Sequence, residues 1–231
     1  MASMQGSYHP PLRRPARETL EKILAAAEDQ LREDELDAFT IQSVLQRTGL
    51  SVGAFYSRFP DKTALLHEVQ ERVHGRVDAQ ILADLAALKG KSKSLEEAVD
   101  QGFGILIRHV LSEREVFRAF MMLSVFDPVM RQKGEQINWE RKRAIAEVLD
   151  SHREEIGHPK PDLAVDAAYA IYSSTMRGRL VYYGSASVQF GVTDKVLFGD
   201  LKQSLALFLR GSVQQTCPET KAPAKKKGGR R

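Results

Sequence analysis

The sequence is poor in cysteine and has no long apolar run. One cysteine, Cys217, is present among 231 residues, so a framework of internal disulfides is excluded. No apolar stretch approaches the roughly 18 residues of a membrane span. The first residues, MASMQGSYHPPLRRPARE, lack the apolar core of a signal peptide. These absences predict a cytoplasmic protein without a membrane partner.

The sequence motifs of the common enzyme classes are also missing. There is no Gly-rich phosphate loop, no G-x-S-x-G nucleophile elbow and no paired metal motif. His67, Glu71 and His74 share one helical face at a spacing that suits a metal ion, but a solvated polar face is the interpretation that we favour. We therefore expect no catalytic residue, no metal site and no cofactor.

The net charge of +4 does not describe the central part of the chain. Residues 213–231 carry a net charge of +5, so the other 212 residues sum to −1. Residues 1–15 are rich in proline, and residues 213–231 lack apolar periodicity, so both are predicted to be disordered basic segments. Local charge is therefore a better guide than total charge to a nucleic-acid partner.

Between these ends the sequence predicts helices throughout, because apolar residues repeat at steps of three and four and no stretch alternates as a strand does. The predicted N-caps are Thr40, Ser51, Asp61, Ser94, Ser112, Asp127 and Thr193. The helix after Asp127 should reach about Ile156, and Pro161 should open a helix that ends near Gly184. The predicted fold class is all-α, with about nine helices.

The stretch GLSVGAFYSRFPDKTALL, residues 49–66, has the spacing of a helix-turn-helix followed by a longer helix. Gly53 costs about 1 kcal/mol in helix propensity relative to alanine. That cost is tolerated where a neighbouring backbone or a phosphate needs room. Phe55 and Phe59 lie four residues apart and should pack inward, which leaves Tyr56 facing outward.

Four polar side chains around this stretch are suited to phosphate oxygens. Tyr56 offers a hydroxyl group that can position a protein without reading sequence. Thr40 and Ser51 present hydroxyl and backbone N–H groups at helix N-termini. Lys62 lies in the first turn of the long helix, where the helix dipole disfavours a cation. An external anion would explain a lysine at that position.

These residues also carry a resemblance to a known family. Residues 17–66, about a fifth of the chain, resemble the DNA-binding segment of the TetR family of transcriptional repressors. The matching landmarks are Thr40, Gly49, Leu50, Ser51, Gly53, Tyr56, Phe59, Lys62, Leu65 and Leu66. Four positions depart from the pattern: Glu35 stands where the family often has glycine, Phe39 where threonine is common, and Leu45 and Thr48 where alanine is frequent.

The resemblance implies an N-terminal three-helix DNA-binding domain and a C-terminal helical domain for ligand binding and dimerisation. It assigns phosphate contacts to the tyrosine, the lysine and the two caps, and base readout to the exposed part of the recognition helix. The implied DNA-binding residues are Thr40, Ser51, Val52, Gly53, Ala54, Tyr56, Ser57, Arg58 and Lys62.

Four segments are therefore expected. They are a disordered basic arm (1–15), a helix-turn-helix DNA-binding domain (16–66), a helical ligand-binding and dimerisation domain (67–212) and a disordered basic tail (213–231). The arm could reach a minor groove through Arg13 and Arg14. The tail lysines could add weak, salt-sensitive affinity for DNA, and a solvated tail without a specific role is an equal alternative.

Aromatic residues and methionines concentrate after residue 100, where they could line a pocket for an apolar or aromatic ligand. The candidates are Phe103, Phe117, Phe120, Met121, Trp139, Tyr169, Tyr172 and Met176. For each of them plain core packing is the simpler alternative. The helices at 161–184 and 193–210 carry small and apolar faces that would suit a four-helix dimer interface.

The sequence thus predicts a transcriptional regulator and not an enzyme. We expect a repressor that binds palindromic operator DNA as a homodimer and is released by a small-molecule effector of apolar or aromatic character. The alternative is a helical ligand-binding or scaffolding protein without DNA-binding activity.

Overall fold

The computed structural model describes residues 14–33, 36–183, 188–189 and 191–211. This part of the chain forms nine α-helices. They are α1 Arg14–Glu33, α2 Ile41–Thr48, α3 Val52–Tyr56, α4 Lys62–Leu88, α5 Leu95–Ser112, α6 Arg114–Leu123, α7 Pro128–Leu149, α8 Pro161–Tyr183 and α9 Asp194–Leu209. Short 3₁₀ helices follow α1 at Leu36–Ala38 and α7 at Asp150–Glu155. The all-α fold class is confirmed.

A two-residue antiparallel ladder joins α8 to α9, and the sequence analysis did not predict it. Strand β1, Val188–Gln189, pairs with strand β2, Val192–Thr193. Helix α1 begins at Arg14, inside the segment predicted as a disordered arm. Residues 1–13 of that arm and the predicted tail, residues 213–231, lie outside the described residues.

Helix α4 is the longest helix of the described chain and runs for 27 residues. Its predicted cap is confirmed, because the Asp61 carboxylate accepts the backbone N–H of Ala64 at 2.8 Å. Its apolar stripe is buried against α1, α5 and α7. The stripe consists of Leu66, Val69, Val73, Val77, Ile81 and Leu85. Burial of one stripe along the whole length ties the helix-turn-helix end of α4 to the remaining helices.

The predicted cap at Ser112 is wrong. Helix α5 continues through this residue, whose hydroxyl donates to the backbone oxygen of His109 at 2.8 Å. Helix α6 begins at Arg114, after Glu113, which makes no side-chain cap. The Glu113 carboxylate instead accepts a hydrogen bond from Nε of Arg32 at 2.9 Å. The start of α6 is therefore held by an ion pair with α1 and not by the predicted cap.

Helix α7 ends earlier than predicted. It stops at Leu149 instead of about Ile156, and a 3₁₀ segment with a non-helical backbone at His152 follows. The chain then passes close to the end of α9, where the N–H of Gly157 donates to the backbone oxygen of Leu209 at 3.0 Å. A Cβ at Gly157 would lie 2.3 Å from the Arg210 oxygen. Glycine is required there by this close backbone approach.

Helices α8 and α9 pack against each other and against α6 and α5. Each keeps apolar side chains on its outer surface. The exposed ones are Leu163, Ile171 and Tyr182 on α8 and Val196 and Leu207 on α9. Within the described residues, no helix is both long enough and apolar enough to cross a membrane.

The start of α7 gives a direct test of the packing around α4. The Asp127 carboxylate accepts N–H groups of Val129 and Met130 at 2.9 and 3.1 Å and contacts Nε2 of His67 on α4 at 2.7 Å. We expect Asp127→Ala to lower the free energy of unfolding by about 1–2 kcal/mol, since it removes a helix cap together with a partner of α4. Urea unfolding at a fixed protein concentration measures this loss.

The matched control is Glu135→Ala, which removes an exposed carboxylate from the middle of the same helix. We expect it to change the unfolding free energy by less than about 0.5 kcal/mol. Equal effects of the two substitutions would contradict the capping role of Asp127.

Candidate nucleic-acid interface

Helix α2 is fixed at its start by a complete capping box. The Thr40 hydroxyl accepts the N–H of Ser43 at 3.1 Å, and the Ser43 hydroxyl accepts the N–H of Thr40 at 3.2 Å. The buried side chain of Gln30 on α1 donates to the same Ser43 hydroxyl at 2.5 Å and to the backbone oxygen of Ala38 at 3.1 Å. Thr40 is exposed at this N-terminus, so α1 holds a polar helix start at the surface.

The turn between α2 and α3 depends on Gly49. Its backbone is left-handed, with φ of 67°, and its N–H donates to the Leu45 oxygen at 2.9 Å. The next helix starts at Ser51, whose hydroxyl accepts the N–H of Ala54 at 3.2 Å. The two short helices are therefore set by one glycine and two hydroxyl caps, all of which the sequence analysis identified.

The aromatic residues of α3 and the following turn divide into buried and exposed side chains. Phe55 and Phe59 are completely buried, with ring centroids 5.7 Å apart. Tyr56 is 52% exposed and Val52 is 58% exposed. The rings of Tyr56 and Phe55 pack edge to face, with their centroids 5.3 Å apart. Two phenylalanines thus anchor a helix of only five residues and turn its other face to solvent.

The outer face of α3 carries the remaining predicted contact residues. Gly53 and Ser57 are exposed, and Ala54 and Arg58 are half-buried. Nε of Arg58 is buried and has no hydrogen-bond partner in the described part of the chain. Nearby on α2, Nη1 of Arg47 contacts a carboxylate oxygen of Glu33 at 2.8 Å.

Gly53 is not required by packing within the described chain. A Cβ at this position would meet no atom closer than the Ser51 hydroxyl oxygen, at 4.0 Å. Its backbone is also an ordinary right-handed helix, unlike that of Gly49. Of the two reasons that the sequence suggested for this glycine, room for a neighbouring backbone is therefore wrong.

Lys62 has a partner inside the chain. Its ammonium group donates to the backbone oxygen of Phe39 at 2.6 Å and lies 5.3 Å from the centroid of the Phe39 ring. This bond joins the first turn of α4 to the residue before the Thr40 cap. The unfavourable position of Lys62 in the helix dipole therefore has an internal explanation as well as the external one that the sequence suggested.

An ion-pair group, here called the junction cluster, connects α1 to α4 and α6. It consists of Glu28 and Arg32 on α1, Arg72 and Arg76 on α4, and Glu113 before α6. Arg32 binds both Glu113 oxygens through Nε and Nη2, at 2.9 and 3.2 Å. Burial tends to raise the pKa of Glu113, but the hydrogen bonds and charges of Arg32 and Arg76 outweigh it and hold that pKa below its usual range.

Most of the predicted ligand-pocket residues meet in the core of the helical bundle. Ring contacts link Phe103 to Tyr172 at 5.3 Å, Tyr172 to Tyr169 at 5.6 Å, and Phe117 to Phe120 at 6.4 Å. Of the others, Met176 is buried and Met121 is half-buried.

Trp139 does not join this group. It is 67% exposed, and the Lys142 ammonium lies 4.2 Å from its ring centroid. Its inclusion in a core pocket was wrong, because α7 turns this position to the surface. A separate cavity of about 400 Å³ between the end of α7 and the start of α8 is lined by none of the predicted residues. Its walls include Lys89, Lys142, Arg143, Glu147, Asp162 and Asp166.

The structure also places charged residues in the core that sequence reasoning missed. His74 was expected on a solvated face, yet it is 6% exposed and contacts a carboxylate oxygen of Asp78 through Nδ1 at 2.9 Å. Asp78 also accepts Nε of Arg141 at 2.6 Å. The spacing of Gln70, His74 and Asp78 by four residues, beside the apolar stripe of α4, was a usable signal of this buried polar line.

The three side chains considered as metal ligands point to different partners. His67 contacts Asp127 at 2.7 Å, and Glu71 pairs with Lys133 at 2.7 Å, while His74 contacts Asp78. Across the described ranges, no three metal-ligating side chains form a group.

Comparisons with known proteins agree with this geometry. Residues 23–69 match the family described as "Bacterial regulatory proteins, tetR family". A search of curated protein sequences gives no match. Among solved structures, a protein from Mesorhizobium loti MAFF303099 described as a TetR-family regulator aligns with a TM-score of 0.63 at 16% identity, covering 86% of this chain and 96% of that one.

Two further solved structures show the same fold. A transcriptional regulator (TerR/AcrR family) from Aquifex aeolicus VF5 aligns with a TM-score of 0.52 at 20% identity, over 84% of this chain and 99% of that one. A TetR transcriptional regulator from Rhodococcus sp. RHA1 aligns with a TM-score of 0.50 at 19% identity, over 85% of this chain and 98% of that one. At such identities, the likeness concerns the fold.

Fold and site together define an all-helical protein in which a helix-turn-helix precedes a larger helical region. Within that class, residues 23–69 are similar to the TetR family of regulators, and the chain shares its fold with solved structures described as members of that family.

The two glycines of the helix-turn-helix should respond in opposite ways to alanine. Gly49→Ala should lower the free energy of unfolding by about 1 kcal/mol, because alanine is strained at positive φ. Gly53→Ala should raise it by about 0.5–1 kcal/mol, because alanine favours the helix and meets no clash. Urea unfolding of both variants at one protein concentration gives the two signs.

Of the two variants, only Gly53→Ala should be more stable than the wild type and also bind DNA more weakly. If the exposed backbone of α3 approaches a phosphate, the added methyl group should weaken DNA binding at least about tenfold, or about 1.4 kcal/mol. A Gly53→Ala protein that is more stable and binds DNA as well as the wild type would remove Gly53 from the interface.

Proposed function

We propose that this protein is a regulator of the TetR family, a dimeric repressor that binds a palindromic operator and is released by a small-molecule effector. The observation that carries the proposal is the outer face of α3. That face carries an exposed tyrosine and a glycine for which the described chain gives no packing reason. A glycine that costs helix stability without an internal benefit is explained by an external surface that approaches the backbone closely.

In the proposed complex, α3 lies in the major groove and phosphate contacts flank it. Thr40, Ser51 and Tyr56 supply hydroxyl groups at the surface, and Lys62 supplies an ammonium group with donors beyond the one bound to Phe39. Side chains on the exposed part of α3 and on the turn after it would contact the base edges. These are Val52, Ala54, Ser57 and Arg58.

A dimer is proposed through α8 and α9. The exposed apolar residues of these helices support a dimer, because large apolar side chains exposed on neighbouring helices often form subunit interfaces. A twofold axis would bring two α3 helices to successive major grooves about 34–36 Å apart. In this scheme, residues 16–66 bind DNA and residues 67–212 bind the partner subunit and the effector.

Effector response is proposed to pass through α6 as well as α4. Phe117 and Phe120 of α6 face the core and contact the His74 ring at centroid distances of 5.3 and 5.7 Å. The N-terminal end of the same helix meets α1 through Glu113 and Arg32. A ligand that displaces the core side of α6 would therefore shift α1, and with it the separation of the two DNA-reading helices.

Two substitutions test the phosphate contacts. Tyr56→Phe should weaken binding to operator and to unrelated DNA by a similar factor, because a phosphate contact carries no sequence information. Lys62→Ala should also reduce the slope of log K against log salt by about one. Fluorescence anisotropy over a salt series measures both effects. The duplexes are DNA from upstream of the protein's own coding sequence and a scrambled control.

Thr63→Ala is the matched control, because Thr63 is exposed and lies next to Lys62 on α4. We expect it to keep the wild-type salt slope. If a folded wild-type dimer binds no duplex at low salt, the repressor proposal fails and the ligand-binding or scaffolding alternative replaces it.

The junction cluster predicts a pH dependence of stability. Because the pKa of Glu113 is lowered in the folded protein, its contribution is fully present above the unfolded value of about 4.3 and is lost as pH falls through the folded value. Glu113→Gln should cost about 1–2 kcal/mol at pH 7. The difference from wild type should shrink below about pH 4, where the wild-type carboxyl group takes up its proton. Urea unfolding across pH 3–7 measures it.

Glu115→Gln serves as the control, since Glu115 lies two residues after Glu113, on α6, and forms a longer ion pair of 3.9 Å with Arg118. Its effect should stay within about 0.5 kcal/mol at every pH. A pH-independent cost of Glu113→Gln would show that the cluster does not stabilise the fold through the carboxylate charge.

A further inference from the structure

Arg141 on α7 is an arginine held inside the helical core. The residue is 9% exposed, and its Nε donates to Oδ1 of Asp78 at 2.6 Å. Its Nη2 is buried and has no hydrogen-bond partner among the described residues. In this buried guanidinium group, Nε is thus hydrogen-bonded and Nη2 is not.

This arrangement costs free energy, because a buried donor of a charged group loses its hydration without gaining a protein acceptor. Asp78 already serves two partners, since its Oδ1 contacts Arg141 and its Oδ2 contacts Nδ1 of His74 at 2.9 Å. Burial tends to raise the pKa of Asp78, but His74 and Arg141 outweigh it and hold that pKa below its usual range. Asp78 is therefore charged and engaged, which leaves Nη2 to an acceptor from another source.

The surroundings of Arg141 are aromatic. The guanidinium carbon lies 5.3 Å from the centroid of the Phe117 ring on α6. Tyr169 and Tyr172 on α8 also lie within its electrostatic reach: burial raises the pKa of both phenols, and the Arg141 charge partly opposes that rise. Tyr172 in turn contacts Phe103 on α5. Side chains from three neighbouring helices, α4, α6 and α8, therefore surround one partly satisfied cation.

We propose that Arg141 binds the carboxylate of the effector, and that the effector is an organic acid with an apolar or aromatic body. The proposal rests on the effector response proposed above and specifies its chemistry. A carboxylate supplies the acceptor that Nη2 lacks and forms the strong, charge-assisted bond that a guanidinium group favours. The rings of Phe117, Tyr169 and Tyr172 would contact the body of the acid.

The position of the site also gives the acid a route to α6. A carboxylate at Arg141 would lie beside the ring of Phe117, and α6 leads from that ring to the junction cluster at Glu113. It would also compete with Asp78 on α4 for the same guanidinium group. Of the helices that meet α1, both α4 and α6 are therefore within one contact of the proposed site.

The test compares acids with matched neutral compounds on the full-length protein. Benzoate, 3-phenylpropionate and decanoate are titrated by isothermal calorimetry beside benzamide, 3-phenylpropanamide and decanamide. We expect at least one acid to bind at least tenfold more tightly than its amide. Arg141→Gln should reduce that preference to less than twofold, and Arg143→Gln, which removes an exposed arginine from the same helix, should preserve it.

Arg141→Gln leaves Asp78 buried without its cation, and such a variant can fail to fold. The double variant Arg141→Met with Asp78→Asn replaces the pair by neutral side chains and keeps the test possible. It should bind the amides and show no preference for the acids. Circular dichroism and size-exclusion chromatography confirm that each variant is folded before titration.

Three outcomes would overturn the proposal: no acid binds the wild type, each amide binds as well as its acid, or the preference survives in the folded Arg141 variants. A buried water that alone satisfies Nη2 would give the second outcome. DNA binding measured with each compound separates this inference from the proposed function. Amides that bind and release DNA would leave the effector response intact, whereas acids that bind at Arg141 without affecting DNA would contradict that response alone.

Discussion

The burial of one continuous apolar stripe along α4 is the constraint on which the other features depend. The helix starts at the edge of the helix-turn-helix, where Lys62 binds the residue before the Thr40 cap, and it ends at Leu88 beside the other helices of the C-terminal bundle. Its middle carries His74 and Asp78 into the core. Its apolar stripe packs along the whole length, so a displacement of α4 within the bundle would also move its helix-turn-helix end. The helix-turn-helix and the buried polar residues are thus joined by one continuous helix.

Two kinds of contact, apolar packing and ion pairs, hold the helices around α4, and they would affect the proposed effector response differently. Apolar packing holds α4 to α5 and α7 without strong preference for direction. The junction cluster, in contrast, joins α1 to α4 and α6 through charged hydrogen bonds of defined geometry. Such bonds weaken steeply when donor and acceptor move apart or rotate. A small shift of α6 is therefore able to change the position of α1 while the apolar core remains closed.

The sequence was sufficient where local chemistry decides the structure. The helix starts at Asp61, Asp127 and Thr193 and the division of the α3 aromatics follow from neighbours within a few residues. It was insufficient where distant residues compete. The predicted cap at Ser112 is absent, and Glu113 at the start of α6 is instead bound by Arg32, 81 positions away in sequence. His74 and Arg141 resemble surface residues in the sequence, and only the meeting of α4, α6 and α7 shows that they are buried together. The exposure of Trp139 likewise depends on how α7 is rotated in the bundle.

The shortness of α3 has a consequence for heat and for mutation. A helix of five residues has no stability of its own in water, so its order depends on Phe55 and Phe59 being held by the core. We therefore expect the segment around α3 to open at a lower free energy than the bundle that carries it, as a separate cooperative unit. A modest loss of core packing near these two rings would then abolish the proposed DNA binding while leaving most of the helices, the circular dichroism and the solubility unchanged.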